Sequence, residues 1–540
     1  MIDRGLRRAD WRFLLPAPSS GCFNHLVLLG GDNEQAELLV DAGIARRVTR
    51  EMAAPGLADA VVLLHRAKAS LRDAARMLQS GGVFYAEVDR RLSGRRWLTP
   101  RTSERQLREA GLSSTGIYLV LPGFEAGRRH IPTDHPGLLD WYFATLHSAR
   151  TPLALIAAAG LQFVTGPKYR RLGSVAPWYG ITAVSGSLPP PPPSVLGHPE
   201  LPDSVRPPNA RVLMVTNGQD DGSRVVILPF AWGEREPIGA VKVSRAAAFN
   251  GNTEREQAAL FDIRQRLDDR LRGSIPEPLG LVKHAGLAVA VESCAPGTAL
   301  TASTGRLGKG FTNSVQDLRL SIAWLVEFQR QTRSGSNSWT AEDAAQLDVR
   351  LELYAQGLEL SDKTQDLLRK TSARSSALIG AILPKVCLHN DFGPWNVYRQ
   401  RDRITVIDWE LGGNGKADRT GPALCDLVYF VTHWTLRARR LWSEAATRRG
   451  FLELFVEPNG GGRASTAARA AIREYLARSG IDPRFLPPLL VYTWVERTLD
   501  QLARARVGGH AGLPASVEQY ARFVNLLAEH GERLFRNQLP

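Results

Sequence analysis

The sequence is poor in cysteine, with four in 540 residues and no C-x-x-C pair. The four are Cys22, Cys294, Cys387 and Cys425. Thiols scattered in this way supply neither the ligand spacing of a zinc site nor a disulfide framework. We therefore expect a chain from a reducing compartment and predict a cytoplasmic location.

Long apolar runs are also lacking. The stretch 152–160 (PLALIAAAG) is far shorter than the ~20 residues that cross a bilayer, so it predicts a buried helix. The basic start of the chain is broken at Pro16 before a signal-peptide core forms. The sequence therefore predicts no transmembrane segment and no targeting segment.

Acidic residues are outnumbered, 54 Asp and Glu against 68 Lys and Arg, for a net charge of +14. This balance favours anionic partners such as nucleotides, phosphorylated substrates or a membrane surface, and bulk charge does not choose among them. Nothing predicts specific nucleic-acid binding. Lys168, Arg170 and Arg171 form a basic cluster that we interpret as a solvated face.

Polar residues recur at fixed intervals among apolar strands between residues 386 and 410. An apolar run leads into an H-x-D-x-x-x-x-N loop, and a second run leads into D-W-E. The polar residues are, in chain order, His389, Asp391, Asn396, Asp408 and Glu410. They could be mere turn formers around Gly393-Pro394, but their joint spacing favours a functional site.

Transfer of a phosphoryl group from ATP needs a carboxylate to accept the proton of the attacking hydroxyl. It also needs an amide oxygen and a second carboxylate to hold Mg²⁺. Asp391, Asn396 and Asp408 supply that set on a loop whose ends are fixed by two strands.

This stretch resembles the aminoglycoside phosphotransferase and choline kinase-like families, small-molecule relatives of the protein kinases. Those families show D-x-[DE] where protein kinases show D-F-G. The resemblance implies ATP and Mg²⁺ as cofactors, catalytic residues Asp391 and His389, and metal ligands Asn396 and Asp408 with Glu410 nearby. Asp426 could brace the catalytic loop or cap a helix, the structural role that we favour.

Upstream, short strands carry one conspicuous cation. Lys242 lies between two valines, so the pleat of the strand directs it into a cleft. The resemblance implies that it binds nucleotide phosphates with Glu256, which we prefer to Glu254 because it fits the family's R-E-x-x-x-L register. A helix-start carboxylate favoured by the macrodipole is the alternative. The resemblance also implies that main-chain groups of Ser293 and Cys294 hold adenine.

Strands alternate with helices between about 22 and 170, which predicts parallel β-α-β units and an α/β Rossmann-like domain. The succession resembles the class I S-adenosylmethionine-dependent methyltransferases. The first turn departs from that family, because Gly30-Gly31 is followed by Asp32-Asn33-Glu34, whose side chains would crowd the cofactor. We expect no S-adenosylmethionine binding here, and predict a scaffold or docking module open to a protein partner.

The chain is therefore predicted to be multidomain. A Rossmann-like domain over 1–185 precedes a proline-rich linker at 186–208, which we prefer to a ligand for a proline-recognition domain. An α+β bilobal protein-kinase-like domain follows over 209–540, with a small lobe to about 297 and a helical large lobe beyond.

Three functional interpretations remain. The first is a small-molecule kinase acting on a hydroxyl of a sugar, an amino alcohol or an aminoglycoside-like acceptor. The second is a bifunctional protein with a methyltransferase in its N-terminal domain, and the third is a non-catalytic scaffold. The intact set of Asp391, Asn396, Asp408 and Lys242 favours the kinase.

Overall fold

The computed structural model describes residues 6–16, 21–89, 100–124, 129–135, 137–146, 177–186, 195–207, 209–216, 222–304, 311–335, 337–409, 420–441, 443–457, 460–507 and 515–536. Two compact units divide these residues. The first contains the described residues up to 143, 177–257 and 277–294. The second contains 144–146, 258–276 and the described residues from 295 onwards.

The first unit is built on one twelve-stranded sheet. Its strands are β1 (Phe23–Leu29), β2 (Ala45–Thr49), β3 (Ala58–Leu63), β4 (Leu78–Asp89), β5 (Leu112–Leu121), β6 (Arg129–Pro132), β7 (Trp178–Ser185), β8 (Arg211–Val215), β9 (Val225–Phe230), β10 (Ala240–Val243), β11 (Pro278–His284) and β12 (Leu287–Glu292). Their spatial order is β11-β12-β10-β9-β8-β6-β5-β7-β4-β3-β1-β2.

Helices connect these strands. The α-helices are α1 (Asn33–Asp41), α2 (Leu71–Ala75), α3 (Pro100–Glu109), α4 (Leu138–Thr145) and α5 (Asn250–Gln265), and the 3-10 helices are Leu6–Leu14, Asp203–Val205 and Ala247–Phe249. Asp32 and Ser70 cap α1 and α2 by accepting from main-chain N–H groups. Both helices therefore begin directly after a polar capping residue.

Parallel pairing is confined to one end of the sheet, where β1 pairs with β2 and β3, and β3 pairs with β4. This part agrees with the expected β-α-β units. Beyond it, β7 lies antiparallel between β4 and β5, a pairing that the sequence pattern did not predict. A Rossmann-like domain is therefore not established, and the observed architecture is a mixed sheet.

The large sheet contains strands from both sides of the predicted linker. β8 pairs antiparallel with β6, so the sheet continues from the N-terminal strands into those of the predicted small lobe. Val195, Leu196, Leu201 and Val205 are buried in one apolar cluster with residues of β8 to β12. Four apolar residues of the expected linker are thus part of a packed core. Its run of five consecutive prolines, 189–193, lies outside the described residues.

The second unit is mostly helical. Its helices are α6 (Asp269–Arg272), α7 (Leu300–Thr304), α8 (Phe311–Gln331), α9 (Ala341–Gly357), α10 (Asp362–Ser376), α11 (Leu424–Ala438), α12 (Glu444–Phe455), α13 (Gly462–Ser479), α14 (Leu486–Val507), α15 (Ala515–Glu529) and α16 (Gly531–Arg536). This unit also contains two small antiparallel sheets. One consists of β13 (Thr298–Ala299), β16 (Val397–Gln400) and β17 (Arg403–Val406). The other consists of β14 (Arg333–Ser334), β15 (Lys385–Cys387) and β18 (Thr420–Pro422).

The catalytic-loop segment lies on an aromatic core. Trp324 and Phe328 of α8 stack with ring planes 6° apart, and Trp324 also stacks on Phe392. Trp409 packs against both Trp324 and Phe328. Rings of this size bury large apolar areas and fix their neighbours, so the loop has a rigid base.

None of the helices in the described ranges combines the length and apolarity needed to span a bilayer. The predicted helix at 152–160 and the basic cluster at 168–171 lie outside those ranges.

Candidate active site

The predicted catalytic loop, residues 388–396, runs from the end of β15 to the start of β16. Two main-chain hydrogen bonds define its turns. Gly393 N–H donates to Asp391 O at 2.7 Å, and Asn396 N–H donates to Gly393 O at 2.9 Å. Asn390 adopts the left-handed region, with φ +65°, which Asn tolerates better than most residues. The loop conformation is therefore defined by its backbone.

The Asp391 carboxylate is held by four donors. Oδ2 accepts from Trp395 Nε1 at 3.1 Å and from Asn396 Nδ2 at 2.9 Å. Oδ1 accepts from the Tyr429 hydroxyl at 2.9 Å and lies 3.4 Å from Nη2 of Arg497. The side chain nevertheless keeps 30% of its surface exposed. It is thus oriented and still accessible, as a proton acceptor must be.

Asn396 is buried, and its amide orientation follows from its partners. Nδ2 donates to both the main-chain oxygen and the carboxylate of Asp391, each at 2.9 Å. Because both partners only accept, the nitrogen must lie on that side. Oδ1 has no hydrogen-bond partner within the described part of the chain, so it is the atom available to a cation.

His389 has both ring nitrogens engaged by the backbone. Nε2 lies 2.9 Å from Ile407 O, and Nδ1 accepts from Asp391 N–H at 3.2 Å. These partners define the tautomer, with the proton on Nε2. These contacts tie the loop to the strand end before Asp408, so His389 positions the loop. The catalytic role that the resemblance implies for His389 stays a prediction.

Asp426 braces the loop from α11. Its carboxylate accepts from His389 N–H at 2.8 Å and from Asn390 N–H at 3.0 Å. Burial raises the pKa of Asp426 to about 6, although the two N–H groups favour the ionised form. Of the two roles considered, the structure therefore supports bracing rather than capping.

Asp408 follows β17 in the left-handed region, with φ +66°. For a residue with a Cβ this conformation costs about 1–2 kcal/mol, and such strain is concentrated at functional positions. Ile407 N–H donates to Asn396 O at 2.9 Å, which ties the strand end carrying Asp408 to the other predicted metal ligand. Glu410 lies outside the described residues.

Tyr429 and Arg497 were not predicted. The Arg497 guanidinium lies 4.6 Å from the Tyr429 ring centroid and also donates to Asn390 O. Burial, followed by the charge of Asp391, raises the pKa of Tyr429, so its hydroxyl stays protonated and donates to that carboxylate. Both residues belong to helices that are distant from Asp391 in the sequence, α11 and α14. The one sequence signal for either residue was an arginine within the apolar run of α14.

A cavity of about 560 Å³ opens beside these residues within the second unit. Five carboxylates and three cations line it, including Asp426 and Arg497. Ion pairs form between Arg350 and Glu496, between Lys385 and Asp343, and between Arg497 and Asp500. The lining therefore carries more negative than positive charge.

In the first unit, Lys242 lies in a buried cluster of four charges. Its Nζ is 2.8 Å from Glu256 Oε1 and 2.8 Å from Glu292 Oε1, and Arg224 pairs with the second oxygen of Glu256. The structure thus brings together the predicted pair Lys242 and Glu256, and adds Glu292 and Arg224. Glu254 instead faces the exposed Lys283 at 3.7 Å.

Burial raises the pKa of Glu292, and the charge of Lys242 opposes that rise. Glu292 was not predicted, and its place at a strand end was the one signal for it.

The predicted adenine-binding segment follows β12. The Ser293 N–H donates to Glu277 O at 2.9 Å, and its hydroxyl accepts from Glu277 N–H at 2.8 Å. The Ser293 N–H is therefore already engaged, contrary to a simple adenine contact through that group. Burial raises the pKa of Cys294 to about 12, so its thiol stays neutral.

Residues 240–468 match the model of the phosphotransferase enzyme family. The resemblance to the aminoglycoside phosphotransferase and choline kinase-like families is thereby confirmed. The prediction of a phosphotransferase enzyme with a kinase-like fold in this part of the chain is confirmed with it. The comparison with curated proteins found no match to this sequence.

Several solved structures show a limited likeness. A glucosamine kinase bound to glucosamine, ADP and phosphate is 17% identical, with 62% of this chain and 82% of that chain covered and a TM-score of 0.37. For an aminoglycoside phosphotransferase from Streptomyces rimosus with ADP and streptomycin, the values are 14%, 51%, 94% and 0.29. A macrolide 2'-phosphotransferase from Brachybacterium faecium gives 15%, 56%, 89% and 0.34. Values this low do not identify an acceptor.

Proposed function

From a phosphotransferase-family domain at residues 240–468, we propose that this protein transfers the γ-phosphoryl group of ATP to a hydroxyl of a small molecule. The observation that carries the proposal is the Asp391 carboxylate, which four donors orient while its side chain stays 30% exposed. A carboxylate in that state is suited to accept a proton.

In the proposed reaction, Asp391 accepts the proton of the acceptor hydroxyl as that oxygen bonds to the γ-phosphorus. The bond from the γ-phosphorus to the bridging oxygen breaks, and ADP leaves. Trp395, Tyr429 and Arg497 hold Asp391 in position for this step. His389 and Asp426 hold the loop that carries it.

The donor set fits Mg²⁺, a cation that prefers oxygen ligands and retains several waters. Asn396 would bind it through Oδ1, the amide atom turned away from Asp391, and Asp408 would supply a carboxylate oxygen. When bound, the ion neutralises charge on the phosphates. Glu410 remains a proposed further ligand.

Lys242 is the proposed phosphate-binding cation, and Glu256 is its holding residue. Ser293 and Cys294 remain the proposed adenine-binding segment, with the Ser293 N–H excluded because Glu277 already accepts from it.

The acceptor is proposed to enter the 560 Å³ cavity, whose size suits a small ligand. Its excess of carboxylates favours a neutral or cationic polyol or amino alcohol over a phosphorylated one, despite the positive charge of the whole chain. The test is a panel of sugars, amino sugars and amino alcohols assayed for acceptor-dependent ADP release. Release that no acceptor stimulates would count against the proposal.

The N-terminal strands are proposed to serve binding or positioning rather than methyl transfer. A Cβ on Gly30 would lie 2.7 Å from the Ala67 nitrogen, so this turn packs closely against its own fold. Asp32 is committed to capping α1 and to an ion pair with Arg8. The turn therefore lacks the open backbone that a dinucleotide-type cofactor needs.

A further inference from the structure

The first described segment of the chain, residues 6–16, is almost wholly buried although its sequence is strongly basic. Only Arg7 and Arg8 keep substantial exposure, and the remaining nine residues are buried. Charged side chains are mostly exposed in folded proteins unless they are paired. The burial of this segment therefore calls for a physical reason.

The 3-10 helix Leu6–Leu14 contributes to two apolar clusters of the first unit. Leu6, Ala9 and Trp11 pack with residues of β1 and β3, and Trp11 stacks on Tyr85 at 5.5 Å. Phe13 and Leu14 belong instead to the cluster formed with residues of β8 to β12. One short helix thus packs against both the N-terminal strands and the strands that carry Lys242.

A buried ion pair lies at the centre of this helix. The Arg245 side chain has no exposed surface, and its Nε and Nη2 each lie 3.0 Å from an oxygen of Asp10, which is also buried. Nη2 of Arg12 donates to the Arg245 main-chain oxygen at 2.6 Å. A buried guanidinium that lost Asp10 would be uncompensated, so this pair strongly defines the position of Arg245.

Arg245 connects Asp10 to the phosphate-binding lysine. It lies three residues after Lys242, and its Nη1 donates to Ser223 O at 3.0 Å. The next residue, Arg224, pairs with Glu256, whose other oxygen is 2.8 Å from Lys242 Nζ. Polar contacts, together with the peptide link between Ser223 and Arg224, therefore join Asp10 to Lys242.

We propose that Asp10 is a positioning residue for nucleotide phosphate binding, acting through Arg245 on the strand ends that carry Lys242 and Arg224. The proposal rests on the proposed function, because it takes Lys242 as the phosphate-binding cation. It gives the N-terminal segment a direct part in the phosphotransferase rather than a separate activity.

The test compares the full chain with Asp10→Asn, measuring dissociation constants for MgATP and for adenosine by calorimetry. Asp10→Asn removes the charge but keeps the size. We expect the MgATP Kd to rise about tenfold, within the range of couplings in polar networks, while the adenosine Kd changes less than about twofold. Only a phosphate-specific loss identifies positioning of Lys242.

Two variants of the same helix serve as controls. Arg8→Gln removes an exposed ion pair with Asp32 and should leave both constants unchanged. Trp11→Leu removes the stack on Tyr85, so it should lower the Tm without a phosphate-specific effect. If Trp11→Leu weakens MgATP as much as Asp10→Asn does, general destabilisation explains the result and the proposal is overturned.

Asp10→Glu covers the case in which Asp10→Asn does not fold. It keeps the charge and displaces the guanidinium by one methylene, and we expect an MgATP Kd raised about threefold. An unchanged MgATP Kd in either folded variant overturns this proposal alone. Failure of the wild-type chain to bind MgATP overturns the proposed function instead.

Discussion

The charged cluster of the first unit and the predicted catalytic loop of the second differ in the exposure and in the partners of their charged groups. Around Lys242 two cations and two carboxylates neutralise one another, and each is about 5–8% exposed. Asp391 is 30% exposed, and three of its four donors are neutral groups. In the first arrangement, the cation proposed to bind phosphates is paired with carboxylates. In the second, one carboxylate is presented in a defined orientation.

This contrast separates binding from chemistry. Substitutions in the loop should reduce turnover with little change in nucleotide affinity, and substitutions near Lys242 should do the reverse. The predictions below test that division, beginning with the largest expected effect.

Asp391→Asn should lower turnover by ~10²-fold or more, because the amide keeps the size of the side chain and loses the proton acceptor. The MgATP Kd should stay within about threefold of wild type. Steady-state ADP release and calorimetry measure the two quantities. Asp402→Asn, at the exposed turn between β16 and β17, is the matched control and should behave as wild type. Undiminished turnover in Asp391→Asn would remove Asp391 from the mechanism.

Asp408→Ala should weaken MgATP binding by roughly 10-fold or more and leave metal-free ATP binding nearly unchanged. The reason is that Asp408 is proposed to contact the nucleotide only through Mg²⁺. Calorimetric titrations with MgCl₂ and with EDTA separate the two cases. Equal weakening in both would show that Asp408 is not a metal ligand.

Glu256→Gln should raise the MgATP Kd by about tenfold, because Glu256 holds both Lys242 and Arg224. Glu292→Gln should raise it less, by about threefold or under, because Glu292 pairs with Lys242 alone among these cations. The two variants are matched in chemistry and in burial. The reverse order would assign the holding role to Glu292.

The pKa of about 6 for Asp426 predicts opposite pH trends for activity and stability. Turnover should fall as the pH drops through about 6, because a protonated carboxyl braces the N–H groups of His389 and Asn390 less well. The folded-state pKa is raised, so the favourable contribution to stability is complete below about pH 4. It is lost as the pH rises through about 6, a change of about 3 kcal/mol.

Turnover and urea unfolding measured between roughly pH 4.5 and 8 check these trends. Asp426→Asn should abolish the stability change over that window. A wild-type turnover profile that is flat across pH 6 would contradict the bracing role.

Contacts of the candidate site could be predicted from the sequence only between residues that are close along the chain. Asp391 and Asn396 lie five positions apart in one motif, and the structure contains a hydrogen bond between their side chains. Tyr429 and Arg497 lie 38 and 106 residues from Asp391, on helices whose apolar periodicity indicates only burial. Contacts over such separations depend on helix packing, which local patterns do not encode.

The same limit applies to the fold. The strands β1, β3 and β4 were predicted from short buried runs, and their parallel pairing followed. The insertion of β7 between β4 and β5, and the continuation from β6 to β8, are non-local pairings. The proline-rich composition of 186–208 predicts a spacer. Composition alone does not show that four apolar residues in this stretch are buried in one cluster, namely Val195, Leu196, Leu201 and Val205.

Calorimetry of the full chain with S-adenosylmethionine should show no saturable binding, the smallest effect expected here. The full chain is needed because the N-terminal strands share one sheet with β8 to β12. Micromolar saturable binding, about −8 kcal/mol, would revive the bifunctional alternative.

The central claim is transfer to an acceptor hydroxyl at the Asp391 loop. Phosphorus NMR of the wild-type reaction with MgATP and the acceptor panel, run in heavy-oxygen water, tests it most directly. We predict a phosphate monoester without heavy oxygen, since the acceptor oxygen attacks, and its loss in Asp391→Asn. Only inorganic phosphate carrying heavy oxygen, formed equally by wild type and Asp391→Asn, would contradict the claim.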